Sequence, residues 1–137
     1  MLKNKIKISR TKIIKNSKGD ILKTFDRKNI NFNKLNEIYF SWVKHNSIKA
    51  WKLHKKMTLY LHVPFGKVKF VFFDEKNKSF YSTTIGEKNF KVIRLKPNTW
   101  FGFKGVKNKN LIMSCSTLKH KKNEILRKNV KQIKYNW

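Results

Sequence analysis

Between residues 36 and 116 the chain rarely runs ten residues without a turn signal, and the stretches between signals are β-branched or aromatic. Such punctuation leaves no room for the long crossover helices of an α/β fold. It predicts an antiparallel sandwich or jelly-roll barrel built from short strands. Residues 5–15, "KIKISRTKIIK", alternate apolar and basic side chains as an edge strand does, and a turn at Gly19-Asp20 leads into another short strand. "NEIYFSWV" (36–43), "MTLYLHV" (57–63), "KVKFVFFD" (67–74), "SFYSTTIG" (79–86), "FKVIRL" (90–95) and "NLIMSCST" (110–117) read as six more. Pro64-Phe65-Gly66 is expected to turn the fourth of these eight strands into the fifth as a hairpin. Only residues 120–135 show helical spacing, through Ile125, Val130 and Ile133, so a short C-terminal helix is expected. Residues 1–137 are read as a single domain, long enough for one hydrophobic core.

Composition narrows the class. A hydrophobic share of 39% with 14% aromatics is too high for a disordered basic tail. No apolar run is long enough to span a membrane, the amino terminus lacks a secretory h-region, and lone Cys115 can form no internal disulfide. A cytoplasmic protein is expected. The net charge of +27 invites a nucleic-acid reading. It is carried by 30 Lys against 4 Arg, spread along the whole chain and accompanied by 15 Asn. That pattern reads as an AT-rich coding bias rather than a phosphate-reading stripe, for which Arg is the better residue. Nucleic acid is therefore not the expected partner.

Several segments carry a family likeness when taken in order. They are "GDI" (19–21), "EIYFSWVKHNSIKAWKLHKKMT" (37–58), "GKVKFVFFD" (66–74), "IRLKPNTWFGFKG" (93–105) and "CSTLKH" (115–120). The series, spanning roughly residues 17–127, resembles the cupin-fold dTDP-4-dehydrorhamnose 3,5-epimerase family and its shorter relatives in surface-polysaccharide synthesis. It resembles the sugar-nucleotide 3,4-ketoisomerases less closely. The resemblance implies an all-β cupin, a double-stranded β-helix jelly roll, that works as a homodimer. It implies an isomerase acting on a nucleoside-diphosphate 4-keto-6-deoxy sugar without metal or redox cofactor. The C4 ketone acidifies the hydrogens at C3 and C5; a base removes one, an enolate forms, and a proton returns to the opposite face.

On this likeness Leu53-His54 falls on the family's strand-terminal Leu-His pair, making His54 the expected catalytic base. Flanking cations at Lys52, Lys55 and Lys56 should keep its imidazole neutral. Lys49 and Lys52 are candidates to bind the diphosphate, and Trp51 and Trp100 to stack on base or sugar unless they are core. His120 and Glu124 are candidate partners of the base. Three positions depart from the family: Leu59 stands for its lysine, Phe70 for its aspartate, and Ser114 near its late tyrosine. The enolate-stabilising pair and the second proton donor are thereby removed. A single epimerisation at C3 or C5, a 3,4-ketoisomerisation, or a non-catalytic sugar-nucleotide-binding cupin all remain open. No metal is expected, because Lys52 and Phe101 stand where a metal-binding cupin would place histidines. His62 is expected to point outward or to a subunit contact, His45 to be exposed, and Cys115 to be inert.

Overall fold

The computed structural model describes residues 2–25 and 34–137. Among the described residues twelve strands appear: β1 (Ile6–Arg10), β2 (Ile13–Ile14), β3 (Ile21–Leu22), β4 (Glu37–Lys44), β5 (Ile48–His54), β6 (Leu59–Phe65), β7 (Lys67–Asp74), β8 (Ser79–Gly86), β9 (Lys91–Leu95), β10 (Trp100–Gly105), β11 (Lys109–Ser116) and β12 (Ile125–Arg127). Ten of them form two five-stranded sheets, β1-β9-β6-β11-β4 and β12-β5-β10-β7-β8, while β2 and β3 pair separately. Every strand pairing is antiparallel. This is the jelly roll of the cupins.

Period-two alternation builds the space between the sheets. Leu59, Leu61 and Val63 of β6 face Val68, Phe70 and Phe72 of β7, with Phe101, Phe103, Ile112 and Val43 closing the same core. Phe70 and Phe72 are wholly buried; sealing a side chain of that size from water contributes about 1.5–3 kcal/mol. A second core lies on the outer face of the β12-β5-β10-β7-β8 sheet. There Trp51, Leu53, Val71, Phe73 and Trp100 are covered by Ile133, Tyr135 and Trp137.

The structure corrects two expectations about connections. The turn at Pro64-Phe65-Gly66 makes no hairpin: β6 pairs with β11 and β9, and β7 pairs with β10 and β8. The chain instead steps from one sheet to the other at Gly66, whose φ is +79°. A Cβ there would collide with the Lys109 carbonyl and Asn110. Buried Asn110 ties the step down by accepting from Lys67 N (2.9 Å) and Lys107 N (3.0 Å) and donating to the Val43 carbonyl (2.9 Å).

Nor does a helix close the chain. Lys122–Glu124 and Val130–Gln132 are single 3-10 turns, the second capped by Asn129, with β12 between them. The segment stays extended because β5 has an edge to satisfy: Ile125, Leu126 and Arg127 pair with His54, Leu53 and Lys52, and Lys128 exchanges hydrogen bonds with Trp51. Two further strands, β5 and β10, do not show as alternating segments in the sequence.

Candidate functional site

Strand β5 carries the candidate residues Lys49, Lys52 and His54 on one face. Lys52 pairs in register with Phe101 and Lys49 with Phe103, across a bulge. Paired residues share a face, and both phenylalanines belong to the inter-sheet core. Lys49 and Lys52, three positions apart, therefore both lie on the inward side, as does His54. Lys49 Nζ reaches across to Ser41 Oγ (3.3 Å) and the Trp42 carbonyl (3.0 Å).

His54 is only 4% exposed and stacks against Phe101, with ring centroids 5.9 Å apart. Its Nδ1 is buried with no hydrogen-bond partner among the described residues, whereas Nε2 is not sealed. Burial above all pushes its pKa down to about 4; the nearby His120, Lys52 and Arg127 push the same way, against the pull of Glu124. The imidazole is thus neutral at pH 7, as the flanking cations implied, though desolvation is the larger cause.

His120 is brought to His54 by the chain between β11 and β12, its ring 5.7 Å away and edge-on. Its carboxylate partner is Glu37 at the start of β4, not Glu124. Glu37 Oε2 accepts from the His120 backbone N–H (2.9 Å) and contacts Nδ1 (3.2 Å). Those two bonds, foremost the backbone one, hold the Glu37 pKa below the usual carboxylate value.

Glu124 has a different task. Its Oε1 accepts from the backbone N–H groups of Lys56 (2.9 Å) and Met57 (2.8 Å), pinning the turn that follows His54. Burial opposes its charge, but these two N–H groups, with His54 and Lys55, prevail and keep its pKa low. It acts on His54 through space and not as a ring partner of His120.

Trp51 and Trp100 are not brought to the site. Both belong to the outer core, where Trp51 Nε1 donates to the Ile133 carbonyl (3.1 Å) and Trp100 Nε1 to Glu75 Oε2 (3.0 Å). Neighbours of inward residues on a strand must point outward, so Trp51 cannot share a pocket with Lys52. His62 is a further correction. It does face away from Leu59 and Leu61, but it is wholly buried: Phe25 packs edge-on at 4.6 Å and Phe90 lies at 6.0 Å. His45 is exposed as expected.

Four residues that the sequence reading passed over join the constellation. Glu37 and Tyr39 enter from β4, Tyr39 lying edge-on to His120 at 5.3 Å. Arg127 on β12 pairs in register with Lys52, and Thr99 lies where Asn98 N–H meets the His54 carbonyl (2.7 Å). Nothing in their spacing announces them; the sheet topology alone assembles them. Thr99 Oγ1 and Ser114 Oγ are, like His54 Nδ1, buried without a partner among the described residues. Buried polar groups are almost always satisfied. Ser114 lies on the inward face, in register with Leu61, while both His62 ring nitrogens and Trp137 Nε1 are unpartnered in the same way on the outer faces of the sheets. Leu59 and Phe70 are plain core at 1% and 0% exposure. Among the described residues no three His, Cys, Asp or Glu side chains converge as metal ligands would.

No protein-family model matches the chain, and no curated protein matches it significantly. Solved structures do match, and those compared below are sugar-nucleotide isomerases and epimerases. A dTDP sugar isomerase from Desulfovibrio desulfuricans aligns at TM-score 0.87 and 28% identity, over 96% of this chain and 90% of its own. The sugar 3,4-ketoisomerase QdtA from Thermoanaerobacterium thermosaccharolyticum, solved with TDP, aligns at TM-score 0.79 and 14% identity over 94% and 92%. NovW, a 4-keto-6-deoxy sugar epimerase from Streptomyces spheroides, aligns at 0.79 and 12% over 89% and 68%. The last two share the fold; the first is alike in sequence as well.

Proposed function

We propose that this protein is an isomerase of the 3,5-epimerase kind, acting at C3, C5 or both on a nucleoside-diphosphate 4-keto-6-deoxy sugar. The observation that carries the reading is His54: an inward, neutral imidazole with an unsealed Nε2, beside orphaned polar groups in a cupin core. A neutral imidazole can accept the proton that a neighbouring ketone has acidified. Lys52 and Arg127, on the same face of adjacent strands, supply positive potential toward both a diphosphate and a developing enolate. They stand in for the family's lysine. The 28% identity to a dTDP sugar isomerase favours dTDP as the nucleotide.

The proposed assembly is a homodimer in the cytoplasm, serving surface-polysaccharide synthesis. Its support in the fold is the outer face of β4, where Ile38, Phe40 and Trp42 are 57–61% exposed and Phe65 adjoins them at 48%. An apolar stripe of that length on one sheet edge marks an interaction surface. Sedimentation should give twice the chain mass, and Trp42→Lys should yield monomer.

The test of function uses heavy water. With dTDP-4-keto-6-deoxyglucose, the protein should introduce deuterium at C3, C5 or both, read by proton NMR. Saturable stabilisation by the nucleotide sugar with no exchange above background would make the chain a binding protein instead.

A further inference from the structure

A base that takes a proton from carbon must pass it on before the next turnover. His54 is badly placed to do so alone: it is 4% exposed, and a bound sugar nucleotide covers what opening remains. Burial, with Lys52 and Arg127 nearby, also leaves its protonated form poorly stabilised, so the proton is held loosely.

Four ionisable side chains act on the His54 ring: His120, Glu124, Lys52 and Arg127. Lys52 and Arg127 are cations with no lone pair to offer. Glu124 is committed to the backbone N–H groups of Lys56 and Met57, and with its pKa held low it is a poor proton acceptor. That leaves His120, whose ring lies edge-on to His54 with centroids 5.7 Å apart. At that separation the ring edges are within reach of one hydrogen bond or one bridging water.

Two features suit His120 to receive a proton and release it. Its Nδ1 lies 3.2 Å from Glu37 Oε2, which also accepts from the His120 backbone N–H at 2.9 Å. Those bonds favour the ionised Glu37 carboxylate, which only accepts, so Nδ1 carries the hydrogen and Nε2 keeps its lone pair. Tyr39, from the same strand as Glu37, packs edge-on to the ring at 5.3 Å. The second feature is exposure: 31% of the His120 side chain and 34% of the Glu37 side chain meet solvent. The pair thus connects a dry base to water. We propose that His120, oriented by Glu37, is the proton relay of this site, taking from His54 the proton that His54 removes from the sugar and handing it to solvent. The proposal rests on the reading of His54 as a base and adds the route by which that base is reset.

Each transfer conserves atoms and charge. The C–H bond beside the ketone breaks as an N–H bond forms on His54, and the electron pair stays in the enolate. That N–H bond breaks as one forms at His120 Nε2, and Glu37 offsets the positive charge. The Nε2–H bond then breaks, and water or a buffer base carries the proton away.

His120→Asn removes the relay and keeps a polar side chain. With a dTDP-linked 4-keto-6-deoxy sugar in heavy water, the parent should exchange deuterium at a rate independent of buffer concentration. In dilute buffer without imidazole, the variant should bind dTDP as the parent does yet exchange about 10–100-fold more slowly. That loss is smaller than the worth of the base itself, because water remains a slow acceptor. Free imidazole should restore exchange in the variant and leave the parent unchanged, a rescue that a merely structural role for His120 does not give. Glu37→Gln, which releases the tautomer, should show a smaller loss restored in the same way. Exchange at the parental rate in His120→Asn would overturn the proposal and leave the proposed function standing. So would a loss that imidazole fails to restore in a variant that still binds dTDP. If His120→Asn loses dTDP binding, His120→Gln is read by the same two measurements. A parent that exchanges no deuterium would sink the relay and the proposed function together.

Discussion

Two buried histidines, His54 and His62, have the same pKa near 4, and for both burial is the main cause. Their surroundings differ in what they leave open. His62 lies on the outer side of the β1-β9-β6-β11-β4 sheet, wedged between Phe25 and Phe90 and close to backbone groups of Thr24 and Met113. His54 lies between the sheets, with a second imidazole, two cations, an unsealed ring nitrogen and orphaned hydroxyls nearby. A depressed pKa by itself therefore says only that an imidazole is dry. Function is read from the other groups that converge on it.

Exchanging each histidine in turn gives the largest contrast. His54→Asn should lower kcat/KM by about two to four orders of magnitude, the worth of a general base. His62→Asn should leave turnover within a few-fold and cost about 1–3 kcal/mol of stability instead. Steady-state kinetics beside urea unfolding separates the two outcomes; a folded His62→Asn without activity would erase the distinction.

Acid should weaken the fold through both residues. Each binds a proton near pH 6.5 when unfolded and only near 4 when native. The unfolded chain thus holds more protons in that window, and stability is complete above pH 6.5 and lost as pH falls toward 4. Each contributes up to about 3 kcal/mol at 1.36 kcal/mol per pKa unit. Urea midpoints at pH 7.5, 5.5 and 4.5 should fall in turn, with a shallower trend in His62→Asn. A flat series in the parent would contradict the burial account.

A smaller effect is expected from Lys52→Met, which keeps the aliphatic stem and removes the charge. Losing a hydrogen bond to a charged group costs about 1.5–3 kcal/mol, so the Kd for dTDP should rise roughly 10–100-fold. Isothermal titration checks it, and an unchanged Kd would move the diphosphate away from β5.

Legibility followed the period of the chain. Strands β4, β6, β7, β8, β9 and β11 are apolar, β-branched or aromatic runs between turn residues, and so could be read directly. Strand β5 is broken by the bulge between its Phe103 and Phe101 pairings. Strand β10 is disguised by Gly102, which is needed because a Cβ there would collide with Ala50 and press on Trp137. The apolar spacing of Ile125, Val130 and Ile133 was real, but an unpaired edge on β5 and an uncovered aromatic face had more to gain from an extended segment. At the site, His54, Lys49 and Lys52 were within reach of a family likeness. Glu37, Tyr39 and Arg127 were not, since only the strand order of two sheets brings them near His54. The outward direction of His62 was legible from β6; its cover was not, because Phe25 reaches it from a distant part of the chain.

The central claim is that His54 acts as a base because burial keeps it unprotonated. The pH profile of kcat/KM reports the ionisation of the free enzyme's essential base. On this account the profile stays level from pH 8 to about 5, with an acid limb centred near 4. Circular dichroism at each pH would certify the fold. An acid limb centred near 6.5, the value of an ordinary exposed imidazole, would contradict it.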